Sequence, residues 1–291
     1  MEKYFDSLEP ITVLNRDGIE KTAEEKKKQV DSQIMDFIKG IKPDKDKEIY
    51  AYVLAMGDDR WGSNSNSNLF PYDQLNPHDT NEYGHETFLK AGLYNHHKNK
   101  NPKLSLGNIV MSIFNPIMHR VELIKRVDRQ LCKERDTCNI YDRLLDGELI
   151  PTSIGCRVSH DSCSVCHNKA KNKTEYCDHI KNSLGKIMPN GIKVMMINVK
   201  PVFFDDSFVT NPAFKPASVI SILEEKDGKN CLNGVCVVQV PKEFPSKPQK
   251  EEVEATTEKT AQEKSTTKKH KPTKVVRQIK YRDLMVDVEV L

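Results

Sequence analysis

Short apolar runs alternate with charged and Gly/Asn-rich segments along most of the chain, and this pattern predicts strands more often than helices. Asn190-Gly191 precedes one of these runs and is typical of a hairpin turn. Short strands in the centre with helices on the flanks indicate an α+β fold. The runs that predict strands are residues 49–55, 106–114, 121–128, 192–199, 202–209 and 219–223.

Two stretches with apolar residues at helical intervals flank these strands. Residues 17–48 are highly charged, with Gly40 and Pro43 as end signals, so residues 1–48 are interpreted as an N-terminal helical extension. Residues 129–146 predict a second helix that Gly147 ends. The apolar positions of the first helix are Val30, Ile34, Phe37, Ile38 and Ile41.

The composition changes sharply after the last predicted strand. Residues 245–273 contain no aromatic residue and consist mostly of Lys, Glu, Thr, Gln and Ser. Such a segment buries too little apolar surface to offset its chain entropy, so we predict a disordered linker over residues 241–274. Residues 275–291 regain apolar periodicity and are interpreted as a C-terminal docking segment. Residues 49–240 then form the main domain.

Charge and cysteine content narrow the class of protein. The net charge is +3 from 45 basic and 42 acidic residues, a balance that argues against a nucleic-acid partner. The sequence has no run of 18 apolar residues and no signal-like start, so we expect neither a membrane span nor a signal peptide. We therefore expect the eight cysteines to be reduced thiols and metal ligands in a cytoplasm, not disulfides.

A cluster of metal-type ligands lies in the middle of the chain. Cys163 and Cys166 have CxxC spacing, and Cys177 and His179 follow after ten intervening residues. Three thiolates and one imidazole can close a tetrahedron around zinc, which predicts a structural Zn²⁺ in an insertion over residues 156–180. Two nearby residues, Cys156 and His160, can replace one of the four ligands. Lysines 169, 171 and 173 leave a nucleic-acid-binding knuckle as an alternative.

Three short motifs follow one another along the main domain. The first is LYNHH (93–97) with LGNIV (106–110), the second is LDG (145–147) with TSIG (152–155), and the third is DDSFVTNPA (205–213). Their order and spacing resemble those of the capsid maturation proteases, or prohead proteases, of tailed phages. That family shares the barrel fold of the herpesvirus assemblin proteases. The zinc insertion resembles one found in a subgroup from large-genome phages.

The resemblance implies a catalytic triad. Ser153 matches the nucleophile, His97 the general base and Asp205 the acid that orients the imidazole. His96 is an alternative base, and Asp206 is an alternative acid if the register slips by one residue. We expect Ser153 to lie in a Pro/Gly-bounded turn over residues 151–155 that offers backbone N–H groups to an oxyanion. Arg157 either supports that oxyanion or forms a surface salt bridge.

The resemblance also implies the fold and the biological setting. The expected fold is a barrel-like core of short strands, assemblin-like, with flanking helices and the zinc insertion. The expected function is a serine endopeptidase that processes phage scaffold and major capsid proteins during prohead maturation, in the host cytoplasm and within the prohead or virion. Enzymes of this fold often form homodimers, although nothing in this sequence indicates one. The alternatives are a non-catalytic, zinc-containing virion structural protein of the same fold and a zinc-knuckle nucleic-acid-binding protein.

Overall fold

The computed structural model describes residues 22–238 and, near the C-terminus, the backbone of residues 275–281 and 284–290. The chain divides into two units, residues 1–242 and residues 243–291. The first unit combines helices with a larger number of strands, so the predicted α+β fold is confirmed. The predicted linker, residues 241–274, lies outside the described residues, as do residues 1–21 of the predicted N-terminal extension.

The helices within the described residues are α1 (Ala23–Ile38), α2 (Tyr72–Leu75), α3 (Arg129–Glu134), α4 (Cys138–Leu145) and α5 (Asp178–Ser183). The strands of the first unit are β1 (Glu48–Gly57), β2 (Asn68–Leu69), β3 (Gly107–Asn115), β4 (Arg120–Asp128), β5 (Thr152–Arg157), β6 (His160–Cys163), β7 (Lys169–Ala170), β8 (Met196–Val199), β9 (Val202–Phe208), β10 (Ser218–Ile222), β11 (Glu224–Lys226), β12 (Lys229–Leu232) and β13 (Val235–Val238). In the second unit, β14 (Val275–Tyr281) and β15 (Leu284–Val290) pair as an antiparallel hairpin within the predicted docking segment. None of the helices in residues 22–238 is long and apolar enough to cross a bilayer.

Helix α1 is shorter than its charged sequence predicts. Thr22 and Glu25 form a capping box that begins the helix, because each side chain accepts the other residue's backbone N–H. The buried positions Val30, Ile34 and Ile38 lie on one face of the helix. Asn230 donates to the carbonyl oxygen of Ile38, where the helix ends. The predicted apolar spacing is therefore correct, and its face packs on the central sheet.

The central sheet is antiparallel with strand order β10-β1-β4-β3. Strand β1 is buried on both faces. Its residues Ala51, Val53 and Ala55 belong to the main core, whereas Tyr52 packs on the α1 side. An apolar run without polar alternation predicts this double burial. The sheet thus separates the helix from the side of the molecule that carries the candidate site.

Strands β5 and β9 form a separate antiparallel pair beside this sheet. A single bridge joins Gly92 to Asn108 of β3 and another joins Gly92 to Asp205 of β9. A third single bridge joins Pro151 to Ser218 of β10. These bridges place β5 and β9 against the two edges of the sheet, but the strands of residues 22–238 do not form the closed barrel that the resemblance led us to expect.

Two local predictions are wrong. Ser153 lies in strand β5 and not in a turn, because β5 pairs with β9 from Thr152 to Arg157 despite the Pro and Gly residues around the serine.

The helix predicted over residues 129–146 is two helices, α3 and α4. The break contains Asp136 at φ +52°, a backbone conformation that no α-helix contains.

The prediction that all cysteines are reduced is also wrong. Cys231 and Cys236 form a disulfide across the β12–β13 hairpin, with Cα atoms 4.1 Å apart. Asn233 and Gly234 both have positive φ and make the tight turn between the strands. This turn sets the register so that the two cysteines lie directly opposite each other. The remaining six cysteines are free thiols.

Candidate functional site

Residues 92–96 form an extended segment that positions the two histidines at the candidate site. It runs parallel to β9 and exchanges backbone hydrogen bonds with it. The Phe208 N–H donates to the Tyr94 carbonyl (2.9 Å), and the His96 N–H donates to the Phe208 carbonyl (2.9 Å). His97, the next residue, donates its backbone N–H to Ser207 Oγ at 3.2 Å. The chain is therefore anchored to β9 up to the position where the imidazole begins.

His96 and His97 are the two central residues of a tight turn. Their φ angles are +49° and +55°, and the Lys98 N–H donates back to the Asn95 carbonyl at 3.2 Å. Positive φ at both central residues is the requirement of a type I′ turn. Positive φ is uncommon for residues other than Gly, although His, like Asn and Asp, adopts it more often than most side chains do. Residues in such sparsely populated conformations are found preferentially at functional sites.

The turn directs His97, and not His96, at the carboxylate of Asp205. His97 Nδ1 lies 2.7 Å from Asp205 Oδ2. The Asp205 side chain is fully buried, whereas the His97 side chain is 41% exposed, so the imidazole presents its other edge to solvent. The hydrogen bond to Asp205 raises the pKa of His97, and partial burial opposes this shift. Of the two histidines that the sequence left open, His97 therefore has the partner that orients a general base.

Two further side chains hold the same carboxylate. Asn99 Nδ2 donates to Asp205 Oδ2 at 2.7 Å, and Ser207 Oγ donates to Asp205 Oδ1 at 2.6 Å. With His97, the buried carboxylate receives three hydrogen bonds, which compensates for its removal from water. The sequence analysis missed Asn99 and Ser207. Asn99 follows His97 by two residues and Ser207 follows Asp205 by two residues, and this proximity in the sequence could have identified them.

Ser153 lies on the same face of the β5–β9 pair as the acid. In the antiparallel register Ser153 is opposite Ser207 and Gly155 is opposite Asp205, and side chains opposite one another share a face. Gly155 leaves space for this approach. A Cβ at that position would lie 3.1 Å from the Asp205 Cβ and 3.3 Å from its Oδ2. The Ser-Ile-Gly motif thus supplies a hydroxyl and, two residues on, space for the acid.

Ser153 and His97 line one cavity of about 370 Å³. Ser153 is buried at 8% exposure and lines this cavity, which we call the Ser153 cavity. Its walls combine apolar side chains with amides and one carboxylate, an arrangement typical of a site that takes up an organic ligand. The wall residues include Met56, Asn68, Phe70, Asp161, Asn198 and Phe214.

Asp206 is directed to the opposite face of β9, into the core. Its carboxylate forms an ion pair with the fully buried Lys125, whose Nζ lies 2.8 Å from Oδ2. Neither carboxylate oxygen accepts a well-aligned hydrogen bond within residues 22–238. Burial raises the pKa of Asp206 and lowers the pKa of Lys125, while the attraction between the two charges acts in the opposite sense. The alternative assignment of Asp206 as the orienting acid is therefore wrong in this register.

Arg157 and Cys156 follow Ser153 in β5 but have different surroundings. The Arg157 guanidinium lies 5.3 Å from the centre of the Phe204 ring, a cation–π contact at the surface. Cys156 lines the Ser153 cavity, and burial raises the pKa of its thiol to about 12. Such a thiol is protonated at neutral pH and is a poor nucleophile.

The insertion brings the four predicted metal ligands together. The ligand atoms of Cys163, Cys166, Cys177 and His179 all lie within 4.8 Å of one another, and we call this group the metal knuckle. His179 Nδ1 is buried and has no hydrogen-bond partner among the described residues, as expected of an atom that binds a cation. The Val165 N–H donates to Cys163 Sγ at 3.4 Å, a bond that stabilises a thiolate. These residues fit a metal ion of tetrahedral preference.

The two alternative ligands are not part of this group. Cys156 lies in the Ser153 cavity, and His160 Nδ1 lies 3.4 Å from the hydroxyl of Ser159. The lysines of the insertion, residues 169, 171 and 173, are all exposed.

A second carboxylate–imidazole pair was not found from the sequence. Asp58 is fully buried, and His119 Nδ1 lies 2.8 Å from its Oδ2. Asp58 Oδ1 also accepts the Arg60 N–H at 2.9 Å. An Asp in a Gly/Asn/Ser-rich segment such as the one that begins at Asp58 usually caps a turn in water. In the structure Asp58 caps the turn in this way, but its carboxylate is buried and paired with His119.

No known protein family, curated protein or solved structure matches this chain.

Proposed function

We propose that the protein is a serine endopeptidase in which Ser153 is the nucleophile, His97 the general base and Asp205 the orienting acid. The observation that carries the proposal is the 2.7 Å contact of His97 Nδ1 with the buried Asp205, beside a serine that lines the same cavity as His97. An imidazole whose Nδ1–H is held by a carboxylate keeps Nε2 free to accept a proton. A buried serine without such a base would be inert at neutral pH.

In this mechanism Ser153 Oγ attacks the carbonyl carbon of the scissile peptide bond while His97 Nε2 takes its proton. The imidazolium then gives this proton to the leaving amine, and the acyl group stays on Ser153 Oγ. Water, deprotonated by His97, hydrolyses the ester and restores the serine. Asp205 stabilises the imidazolium in each half-reaction and stays ionised. In this proposal the hydrogen bond between Ser153 Oγ and His97 Nε2 forms when substrate fills the cavity, because catalytic contacts often tighten only in the complex with substrate.

The substrates we propose are the scaffold and major capsid proteins of a tailed phage, cut inside the prohead in the host cytoplasm. The support is the order of the three sequence motifs that resemble prohead proteases. The placement of β5 and β9 at the two edges of the central sheet is compatible with an opened variant of the assemblin barrel. In the same proposal the enzyme works as a homodimer, the association common among enzymes of this fold.

We further propose that the metal is Zn²⁺ and that it is structural. Three thiolates and one imidazole are the ligand set that zinc prefers, and soft thiolates disfavour calcium and magnesium. Cys163, Cys166, Cys177 and His179 fill four positions and leave no open one for substrate or water. When bound, the ion supplies cross-linking of the insertion and takes no part in the acyl transfer.

The test is co-expression with the cognate scaffold and capsid proteins, followed by intact-mass analysis. We expect truncated products with the wild type and none with Ser153→Ala, because loss of a triad nucleophile costs on the order of 10⁶-fold in turnover. Ser159→Ala is the matched control, since Ser159 is exposed and does not line the Ser153 cavity. Equal cleavage by Ser153→Ala, or no cleavage by the wild type, contradicts the proposal.

The exposed lysines around the metal knuckle favour one second candidate, a nucleic-acid-binding protein. It predicts an affinity for nucleic acid that falls steeply as salt rises. Replacing Lys169, Lys171 and Lys173 with Gln weakens such binding and leaves peptide cleavage unchanged. A non-catalytic virion protein predicts neither binding nor cleavage.

A further inference from the structure

The wall of the Ser153 cavity and the metal knuckle share their supporting strands. Asp161 and Cys163 both belong to β6 and are two residues apart, so their side chains lie on the same face. Asp161 lines the Ser153 cavity, whereas Cys163 is one of the four candidate ligands of the metal knuckle. One strand thus carries a residue of each site.

Besides β6, a side-chain hydrogen bond connects the Ser153 cavity with the metal knuckle. Tyr176 directly precedes the ligand Cys177, and its hydroxyl donates to Asp161 Oδ2 at 2.6 Å. Asp161 is 9% exposed, and its carboxylate has no ion-pair partner within residues 22–238. Its charge is instead held by hydrogen bonds, of which the Tyr176 bond is one.

The second oxygen of Asp161 holds the neighbouring wall residue. Asn198 Nδ2 donates to Asp161 Oδ1 at 2.7 Å, and Asn198 lies opposite Asp161 in the β6–β8 ladder. Asn198 Nδ2 also lies 3.2 Å from Asn68 Oδ1. All three side chains line the Ser153 cavity. A continuous chain of hydrogen bonds therefore runs from the residue beside a metal ligand to the polar wall of the cavity.

We propose that Asp161 is a positioning residue through which the metal knuckle holds the polar wall of the Ser153 cavity. Metal binding fixes Cys177, and with it Tyr176. The Tyr176 hydroxyl fixes the carboxylate of Asp161, and Asp161 fixes the amide of Asn198 that faces bound peptide. The metal thereby has a role in substrate positioning although it takes no part in the chemistry. For its effect on catalysis this inference rests on the proposed function.

The experiment compares Tyr176→Phe with the wild type in the full-length, metal-loaded protein. The substitution removes only the hydroxyl and leaves every metal ligand in place. Three quantities are measured: bound metal, hydrogen exchange of the β8 backbone, and the rate at which a fluorophosphonate probe labels Ser153. We expect unchanged metal content, faster exchange in residues 196–199, and labelling slower by about tenfold, the effect typical of lost outer contacts at metal sites. Removing the metal from the wild type with a chelator reproduces both changes.

Tyr50→Phe is the matched control. The Tyr50 hydroxyl donates to Glu48 at 2.8 Å, a tyrosine–carboxylate bond of the same kind, and Tyr50 does not line the Ser153 cavity. We expect wild-type exchange in β8 and wild-type labelling in this variant. If Tyr50→Phe changes both quantities as much as Tyr176→Phe does, the inference is overturned.

The outcomes separate the inference from the proposed function. Metal-loaded Tyr176→Phe with wild-type exchange in β8 overturns the inference, whatever the labelling result. Absence of labelling in the wild type overturns the serine mechanism, while hydrogen exchange still decides whether the metal knuckle holds the wall. If Tyr176→Phe does not fold, Asp161→Asn takes its place, and unchanged exchange in that variant overturns the inference equally.

Discussion

Gly155 lies directly opposite Asp205 in the β5–β9 ladder, and a side chain at residue 155 would be in unusually close contact with the acid. A Cβ on Gly155 would lie 3.1 Å from the Cβ of Asp205, which is tighter than ordinary van der Waals contact. The acid that contacts His97 is therefore positioned by the absence of a side chain on the neighbouring strand. The position of Asp205 and the identity of residue 155 are linked.

Gly155→Ala tests this link. We expect the new methyl group to displace Asp205 and to destabilise the fold by about 1–3 kcal/mol, the usual cost of overpacking. Urea denaturation measures the stability, and probe labelling of Ser153 measures the effect on the site. Gly40→Ala is the control, because a Cβ at Gly40 meets nothing within 4 Å. If the two variants behave alike, steric exclusion at Gly155 is not what positions the acid.

Asp205→Asn tests the electrostatic role of the acid. Asp205 raises the pKa of His97 by stabilising the protonated imidazole, so we expect the pKa of His97 to fall in the variant. NMR titration of the His97 ring protons measures this directly. Asp46→Asn is the control, since Asp46 is exposed and contacts Arg129 instead. An unchanged His97 titration in Asp205→Asn contradicts the observed pairing.

The raised pKa of His97 determines how two quantities change with pH: the stability of the fold and the rate of probe labelling at Ser153. A raised pKa in the folded state means that His97 contributes stability below its unfolded pKa, and that this contribution is lost as pH rises through the folded pKa. A general base must be neutral, so probe labelling of Ser153 should increase over that same interval. In Asp205→Asn the labelling should fall by about 10⁴-fold, because the tautomer is no longer fixed.

Lys125→Met tests the ion pair beneath the site. The substitution leaves the carboxylate of Asp206 buried without a cation, which should cost about 3–5 kcal/mol in the free energy of unfolding. The double variant Lys125→Met/Asp206→Leu should recover most of this loss, because it removes both buried charges. Lys27→Met is the control: Lys27 pairs with Asp31 at the surface, and we expect a change below about 1 kcal/mol. Equal losses in the single and double variants contradict this account.

Cys166→Ser tests the metal knuckle. The wild type should carry about one zinc ion per chain, measured by mass spectrometry of the metal content. The variant should lose the ion, and residues 156–180 should become sensitive to proteases, because metal binding and local folding are coupled. Cys138→Ser is the control, as Cys138 is an exposed free thiol outside the group. Retention of one zinc by Cys166→Ser shows that the ligand set is different.

Local sequence patterns predict the elements whose burial is visible in the chain itself. The apolar run around Val53 predicts β1, and the helical spacing of Val30, Ile34 and Ile38 predicts the buried face of α1. The environment of Ser153 could not be predicted in this way. Its strand conformation depends on pairing with β9, which comes much later in the chain, whereas the neighbouring Pro and Gly favour a turn. Long-range pairing overrides local preference here.

Several contacts at the site also depend on long-range packing. The CxxC spacing predicts the metal ligands, because that chemistry is encoded within a few residues. In contrast, Asp58 meets His119 and Tyr176 meets Asp161 only after the fold has formed. The Cys231–Cys236 disulfide was predictable, since Asn233-Gly234 is a hairpin signal that sets the two cysteines opposite each other.

The turn that carries His97 has a consequence for how the imidazole can adapt to a substrate. Both central residues occupy a narrow backbone well, and hydrogen bonds to β9 hold the segment before them. A flexible loop could bring its base to the substrate by swinging as a whole. Because the backbone is held in this way, the imidazole adjusts to a ligand mainly through its two side-chain torsions. Ligands of different bulk then have to be accommodated by the other residues that line the cavity.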